Sequence, residues 1–308
     1  MKIKIFRNGL CCVLYFLLAV SCIQKSTKIE PYGHSGSLKE PKKFFPEEVT
    51  TMNGISFSKD GSTLYTSQPI DNQFDNGRNK AGIFVQKFRH GAWSKPEHLI
   101  FESGFDAYHP TLSVDNQTLY FNSRTLPGSP DKSIPHNIWS LHWNGSNWTD
   151  PHVVDSINSE YYDSYPSITN NNNIYFNSDR PGGKGGMDIY VSRFKDGHHR
   201  APSNILTINS TDAENDLVVD PQERFIIFNR YFHSTGELDL FISFYKNNEW
   251  TQPRPLDNIN TPENWELTPT LSPDGSYFFY ELDQKVMQIE LSALIYPDEL
   301  PSIGKRQL

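Results

Sequence analysis

From about residue 55 onward, short apolar runs alternate with polar positions and are separated by turn-forming residues. The clearest case is residues 269–280, where Pro-Thr-Leu-Ser and Tyr-Phe-Phe-Tyr flank the turn sequence Pro-Asp-Gly-Ser. Alternation of this kind indicates a strand with two unequal faces, and Asp-Gly favours a tight hairpin because Gly adopts positive φ at little steric cost. This segment therefore predicts a β-hairpin.

The hairpin recurs along the chain, and each copy is followed by a third strand-like run. The five copies begin near Ile55, Pro110, Pro166, Leu217 and Pro269. The third runs cover residues 82–88, 137–143, 188–194, 239–245 and 286–291. A repeated three-strand unit of this size indicates one supersecondary element repeated along the chain.

A fourth element completes each period. It has the pattern Trp-x-x-Pro-x-x-aliphatic and begins at Trp93, Trp148, His199 (in place of Trp) and Trp250, at intervals of 55, 51 and 51 residues. We interpret it as an outer strand. Four antiparallel strands repeated about every 40–50 residues are typical of β-propeller blades. The sequence therefore predicts an all-β propeller of four-stranded antiparallel blades.

The number of blades follows from how the ring closes. The fifth hairpin has no Trp-x-x-Pro segment behind it, whereas Pro41-Lys42-Lys43-Phe44 precedes the first hairpin and resembles an unmatched copy. An N-terminal outer strand would complete the last blade and remove an open sheet edge. We predict five blades closed by this strand; six blades are the alternative and would require a further repeat.

Composition supports this fold and excludes one class of partner. Apolar residues make up 36% of the chain, which is enough for a packed core. The net charge is −8 with scattered Lys and Arg, so the chain lacks the clustered positive charge that phosphate backbones require, and we exclude nucleic acid. All three cysteines lie within the first 22 residues, so no disulfide or cysteine-based site is expected in the folded domain.

The first 22 residues have the organisation of an export sequence. Lys2, Lys4 and Arg7 form a positive region, and residues 9–20 form an apolar run that is too short to span a bilayer comfortably. The run ends in Leu-Ala-Val-Ser-Cys at residues 18–22, which resembles the lipobox of bacterial lipoproteins. In that motif the cysteine becomes the lipidated N terminus.

We accordingly assign residues 1–21 to a lipoprotein signal peptide, residues 22–40 to a polar tether with Cys22 lipidated, and residues 41–308 to one propeller domain. The lipobox is imperfect, because Ala19 stands where leucine is usual. A plain cleaved signal peptide and an uncleaved anchor are the alternatives. These assignments predict a cell-envelope protein held at the outer membrane by its lipid alone.

Two strings carry a family resemblance. Leu-Ser-Pro-Asp-Gly at residues 271–275 and Tyr-Phe-Asn-Ser-Asp-Arg-Pro-Gly-Gly-Lys-Gly-Gly-Met-Asp-Ile-Tyr-Val-Ser at residues 175–192 resemble the TolB-like, WD-like propeller repeat. The resemblance implies a periplasmic protein-docking platform, and lipoproteins with such repeats are common in Bacteroidetes-type bacteria. TolB itself has an N-terminal α/β domain, which this chain has no room for, so a Tol-Pal role is not carried over.

Acidic residues recur just before the first strand of four blades. They are Asp106, Asp163, Glu214 and Glu266. Because the first strand of a blade lines the central channel, these acids could ring one channel mouth and bind a ligand, or supply the carboxylate pair of a glycan-active hydrolase or lyase. The alternative is structural: each carboxylate accepts hydrogen bonds from a loop or neighbouring blade, repeated because the blade is repeated.

Aromatic residues in the segments between blades form a second candidate set. Tyr108, Tyr161, Tyr162 and Trp265 could present rings to a sugar or protein. The alternative is packing between blades. The five-residue stretch 182–186, Gly-Gly-Lys-Gly-Gly, lacks the Ser or Thr of a phosphate-binding loop and is interpreted as an interstrand loop.

No catalytic, metal or cofactor motif is recognised, so none of these groups is expected. The sequence therefore predicts a monomeric, non-enzymatic envelope lipoprotein whose propeller binds a protein or a glycan. The glycan-active enzyme with carboxylates at the channel mouth remains the alternative hypothesis.

Overall fold

Five antiparallel sheets are arranged around a central axis in the computed structural model of the chain. The structure describes residues 31–32, 37–44, 54–75, 78–100, 106–124 and 136–300. The predicted signal peptide and Cys22 lie outside these residues. The five-bladed all-β propeller predicted from the repeat is confirmed.

Each blade contributes three main strands in chain order. Their bounds are Ile55–Phe57, Thr63–Asp75 and Arg78–Arg89 in blade 1; Ala107–Leu112, Thr118–Ser123 and Asn137–His142 in blade 2; Asp163–Ile168, Ile174–Ser178 and Asp188–Ser192 in blade 3; Ala213–Val219, Phe225–Tyr231 and Leu238–Lys246 in blade 4; Leu267–Leu271, Tyr277–Leu282 and Lys285–Glu290 in blade 5. Within the described residues the only helical element is the 3-10 turn Leu291–Ala293, and no helix there is long and apolar enough to cross a membrane.

A short outer strand is the fourth member of every sheet. In blades 1 to 4 these strands are Glu97–His98, His152–Val153, Ser203–Asn204 and Arg254–Pro255. In blade 5 the outer strand is Lys42–Lys43, with Lys42 opposite Gln288 and Lys43 opposite Met287. The predicted closure by the N-terminal strand is therefore confirmed.

Residues before this strand also contact the propeller. Leu38 is buried, and its N–H donates to Glu290 Oε1 over 2.7 Å. The Tyr32 ring lies edge-on to Phe57, with centroids 5.8 Å apart. The described part of the segment that the sequence assigns to a tether thus packs on blades 1 and 5, and the packed unit begins before residue 41.

The Trp-x-x-Pro segment is not the single outer strand that its pattern predicts. Trp93 pairs with Phe88 in a tip hairpin, and the outer strand begins only after Pro96, at Glu97. Proline cannot donate a ladder hydrogen bond, so it divides the segment into two short pieces. The same division occurs around Pro253, between Glu249–Trp250 and Arg254–Pro255.

The hairpin turns joining the first two strands are held by a repeated hydroxyl-carboxylate contact. Ser272 Oγ donates to Asp274 over 2.6 Å and accepts from Tyr277 N–H over 2.9 Å. Ser58 and Ser113 make the equivalent contacts in blades 1 and 2. Each turn satisfies its own backbone groups, which fixes the register of the strands that follow.

The core lies between adjacent blades. Phe225, Ile227 and Ile242 of blade 4 pack with Phe278 and Ile289 of blade 5 in one fully buried cluster. Because both faces of each sheet are covered by neighbouring blades, the middle strands contain runs of consecutive buried residues. The channel therefore runs between five rigid inner strands.

Candidate functional site

Four inner strands carry a residue with positive φ at the same position, and in blade 1 Gly54, directly before the inner strand, takes this place. In blades 2 to 5 this position falls in a register shift between the first two strands. The five residues are Gly54 (φ 100°), His109 (55°), Tyr165 (54°), Asp216 (28°) and Thr268 (49°). Four of the five are not glycine, and such strain is sustained only where the surrounding structure enforces it. We call these five residues the bulge ring.

Members of the bulge ring contact one another around the channel. The rings of His109 and Tyr165 meet edge to face with centroids 4.5 Å apart. Tyr165 lies close to Asp216, whose Oδ2 accepts the N–H of Thr268 over 3.0 Å. A Cβ placed on Gly54 would lie 3.0 Å from His109 Cδ2. These contacts connect all five blades at one level of the axis.

Burial sets the protonation of this ring. Desolvation lowers the pKa of His109 to about 3 and raises the pKa of Asp216. Burial, together with the neighbouring Asp216, raises the pKa of Tyr165 well above its ordinary value. His109 and Tyr165 are therefore neutral at physiological pH.

A cavity of about 470 Å³ lies on the axis between the bulge ring and the hairpin turns. All five inner strands line it, and we call it the well. His109 lies at its inner end, next to Ile55, Pro166, Leu217 and Pro269. Turn residues form its rim: Lys59, Asn116, Asn170, Arg224 and Asp274.

Hydroxyl groups lie halfway along the well. Ser56 Oγ accepts the Leu112 N–H and Ser167 Oγ accepts the Val219 N–H, each over 2.9 Å. Both bonds join neighbouring blades. Because each serine accepts through oxygen, its own O–H remains able to donate to a ligand. Thr111 also lines the well at this level.

The predicted acids of blades 3 and 4 are fully buried. Asp163 accepts from the N–H and Oγ of Ser159 and pairs with Arg180. Glu214 repeats the pattern with Ser210 and Arg230. Such hydrogen bonds are expected from the alternative interpretation, in which each carboxylate accepts hydrogen bonds from a loop or a neighbouring blade.

The acid of blade 5 lacks the arginine. Glu266 Oε1 accepts from Thr261 Oγ1 over 2.8 Å, while its buried Oε2 has no hydrogen-bond partner. Leu267 stands opposite Glu281 in blade 5 as Asn215 stands opposite Asn229 in blade 4. The next residue, Leu282, therefore occupies the position that Arg230 has in blade 4. Burial raises the pKa of Glu266 to about 7, and the nearby Asp239 carboxylate adds to this shift.

Asp106 is not equivalent to the other three acids. Ala107 stands opposite Ser123 in blade 2 as Asp163 stands opposite Ser178 in blade 3. Ala107 is therefore the equivalent of Asp163, and Asp106 lies one residue before that position. Its Oδ1 accepts the Ala81 N–H over 2.8 Å, which ties blade 2 to blade 1. A role for the four acids in ligand binding remains a prediction.

The predicted aromatic residues divide into two places. Tyr108 is buried and bonds His136 through its hydroxyl, and the ring of Tyr162, which is 38% exposed, lies 5.0 Å from the His136 ring. Trp265 is 52% exposed and meets Tyr231 edge-on at 6.0 Å. Tyr161 is half-buried beside Tyr162.

The glycine-rich loop encloses a carboxylate of its own chain. The N–H groups of Lys184 and Gly185 donate to Asp188, and a Cβ on Gly183 would lie 2.3 Å from Asp188 Oδ2. Close approach of other atoms thus explains Gly183 and Gly185. Across the part of the chain that the structure describes, no group of three His, Cys, Asp or Glu could hold a metal ion.

No family model matches the sequence, and no curated protein matches it. Several solved propeller structures are similar. They include a putative TolB from Agrobacterium tumefaciens (14% identity, 75% of this chain and 69% of that chain covered, TM-score 0.48) and a gluconolactonase from Xanthomonas campestris (10%, 79% and 87%, 0.49). A Hadza microbial sialidase has 10% identity with 80% and 67% covered and a TM-score of 0.47. At these identities the likeness concerns the fold alone.

Proposed function

We propose that the protein is a non-enzymatic binding module of the cell envelope, lipid-anchored through Cys22, which docks a protein or a glycan by admitting a narrow part of it into the well. The observation that carries this proposal is the well itself. Its volume of about 470 Å³ lies within the range of about 300 to 1,000 Å³ usual for ligand sites. Below its charged rim it mixes aliphatic walls with hydroxyl donors, a combination that orients a ligand by hydrogen bonds and apolar contact.

The preformed walls of the well support ligand binding. The serines there tie neighbouring blades, and the imidazole of His109 is neutral and 6% exposed. A preformed wall binds with little loss of conformational entropy. The enzymatic alternative depends on the acids at the other channel mouth, where Asp163 and Glu214 pair with arginines and Glu266 does not.

A substitution that fills the well tests the proposal. Thr111 lines the well, so Thr111→Trp should obstruct it, whereas Leu206→Trp adds the same ring at a position that is 58% exposed elsewhere. A panel of defined envelope oligosaccharides and peptides is screened against the three proteins for binding and for product formation. We expect a ligand that binds wild type and Leu206→Trp without turnover and is lost in Thr111→Trp. Equal binding by all three proteins, or release of a product, would contradict the proposal.

The anchor is tested separately by labelled fatty-acid incorporation in cells. We expect Cys22→Ser to abolish incorporation and Cys12→Ser to leave it unchanged. Persistent labelling of Cys22→Ser would refute the lipid anchor without bearing on the well.

A further inference from the structure

A second cluster lies at the end of the inner strands opposite the well's rim. Arg124 directly follows the second strand of blade 2, and His136 directly precedes the third. Tyr108 is the second residue of the same blade's inner strand, and Tyr162 directly precedes the inner strand of blade 3. The fold thus brings together four side chains that are distant in sequence.

Hydrogen bonding fixes the state of the histidine. Arg124 Nε donates to His136 Nε2, and the Tyr108 hydroxyl bonds the same nitrogen. A guanidinium can only donate, so Nε2 is an acceptor and the imidazole is neutral. Burial, aided by the Arg124 charge, holds the pKa of His136 at about 3. His136 therefore orients Arg124 and adds no charge of its own.

Arg124 forms no ion pair with a carboxylate of the residues that the structure describes. Its side chain is exposed, and the ion pairs of the described residues join other arginines to acids but leave Arg124 out. The Asp106 carboxylate, whose charge also acts on Tyr108, accepts the Ala81 N–H through Oδ1. An exposed guanidinium that His136 orients, on a chain of net charge −8, is a local anion site.

The surrounding groups favour one class of anion. A guanidinium recognises a planar carboxylate through paired N–H groups. The buried Tyr108 hydroxyl keeps its proton, because burial raises its pKa far above the ordinary value, and the Tyr162 ring beside it is 38% exposed. An exposed aromatic face suits the C–H face of a sugar ring. We propose that Arg124, His136, Tyr108 and Tyr162 form a binding site for the carboxylate of an acidic sugar, such as a uronic acid within a glycan.

This site goes beyond the function proposed for the well and is tested independently of it. Binding of a defined oligogalacturonate is measured by calorimetry beside a neutral oligogalactoside of equal length and an oligoglutamate peptide. We expect the uronide alone to bind, with affinity falling as salt rises. Preference for the peptide, or equal binding of the neutral sugar, would overturn the assignment.

Variants locate the contact. Arg124→Gln should weaken uronide binding at least about tenfold. Arg200→Gln, which removes an exposed arginine paired with Asp196, should leave binding unchanged. Tyr162→Phe should bind like wild type and Tyr162→Ala several-fold more weakly, because the ring makes the contact. Thr111→Trp should not affect uronide binding. Wild-type affinity in Arg124→Gln, or no uronide binding to the wild type, would refute the site.

Discussion

Arg230 and Glu214 form an ion pair inside blade 4, with Arg230 Nε 2.7 Å from Glu214 Oε1. Arg180 serves the equivalent acid of blade 3. In blade 5 the hydroxyl donor is kept but the arginine is replaced by Leu282, so Glu266 is buried without a cation. Of the three equivalent acids of blades 3 to 5, Glu266 alone has no arginine partner among the described residues.

Glu266 should make stability depend on pH. Its folded pKa of about 7 exceeds the ordinary value of 4.5, so between these values the folded state holds a proton that the unfolded chain has released. Stability should then fall as pH rises from about 5 to 7, by about 1–2 kcal/mol, and level off above. Urea unfolding across this range should show a flatter profile for Glu266→Gln, with the exposed Glu249→Gln unchanged.

A second variant separates charge from packing at this position. Leu282→Arg supplies the cation that Arg230 provides in blade 4, so it should flatten the same pH profile even if it costs packing at Leu282. An undiminished slope in both Glu266→Gln and Leu282→Arg would show that another group is responsible.

Phe44 should stabilise the closed ring. It follows the outer strand of blade 5 and packs against Phe279 at 4.9 Å and Phe57 of blade 1 at 6.0 Å. Phe44→Ala should lower the free energy of unfolding by about 2–3 kcal/mol and speed amide exchange in Lys285–Glu290. Ile100→Ala, at a residue 78% exposed, should change stability by no more than about 0.5 kcal/mol. Equal losses of unfolding free energy in the two variants would argue against a stabilising role of Phe44 in closing the ring.

The glycines of the loop 182–186 should differ in the stability that is lost when each is substituted. A Cβ on Gly185 would lie 1.7 Å from the backbone oxygen of Asp212, whereas a Cβ on Gly182 would meet nothing within 4 Å. Gly185→Ala should therefore cost about 2–4 kcal/mol, and Gly182→Ala, strained only by its φ of 96°, about 1 kcal/mol. Thermal denaturation compares them, and the reverse order would contradict this packing.

The sequence repeat was sufficient to predict the blades, because each hairpin has the same turn residues and the same alternation of apolar and polar positions. The Asp-Gly turns predicted the number of strands, and the extra copy at residues 41–44 predicted that an N-terminal strand closes the ring. The Trp-x-x-Pro segment was predicted to be one outer strand, but its proline interrupts the ladder, and pairing resumes only after it. The outer strands are consequently shorter than predicted.

The residues of the bulge ring and of the Arg124 cluster could not be predicted from the sequence in the same way. The bulge ring repeats a backbone conformation rather than a residue type, and the sequence pattern it shares is incomplete: proline follows His109, Tyr165 and Thr268 but not the other two residues. Arg124 and His136 were not singled out, because they flank an irregular segment and meet only when the two strands pair. One available pattern was overlooked: Ser or Thr stands four or five residues before three of the acids, as Ser159 does before Asp163.

The most direct test of the central claim is a methyl NMR titration of the wild-type protein with the strongest binder from the oligosaccharide and peptide panel. The account predicts shifts for the methyl groups of Ile55, Leu217 and Leu271, which line the well, and none for the exposed Ile100 and Leu206. Shifts confined to Ile100 or Leu206, with the well methyls unchanged at saturation, would contradict it.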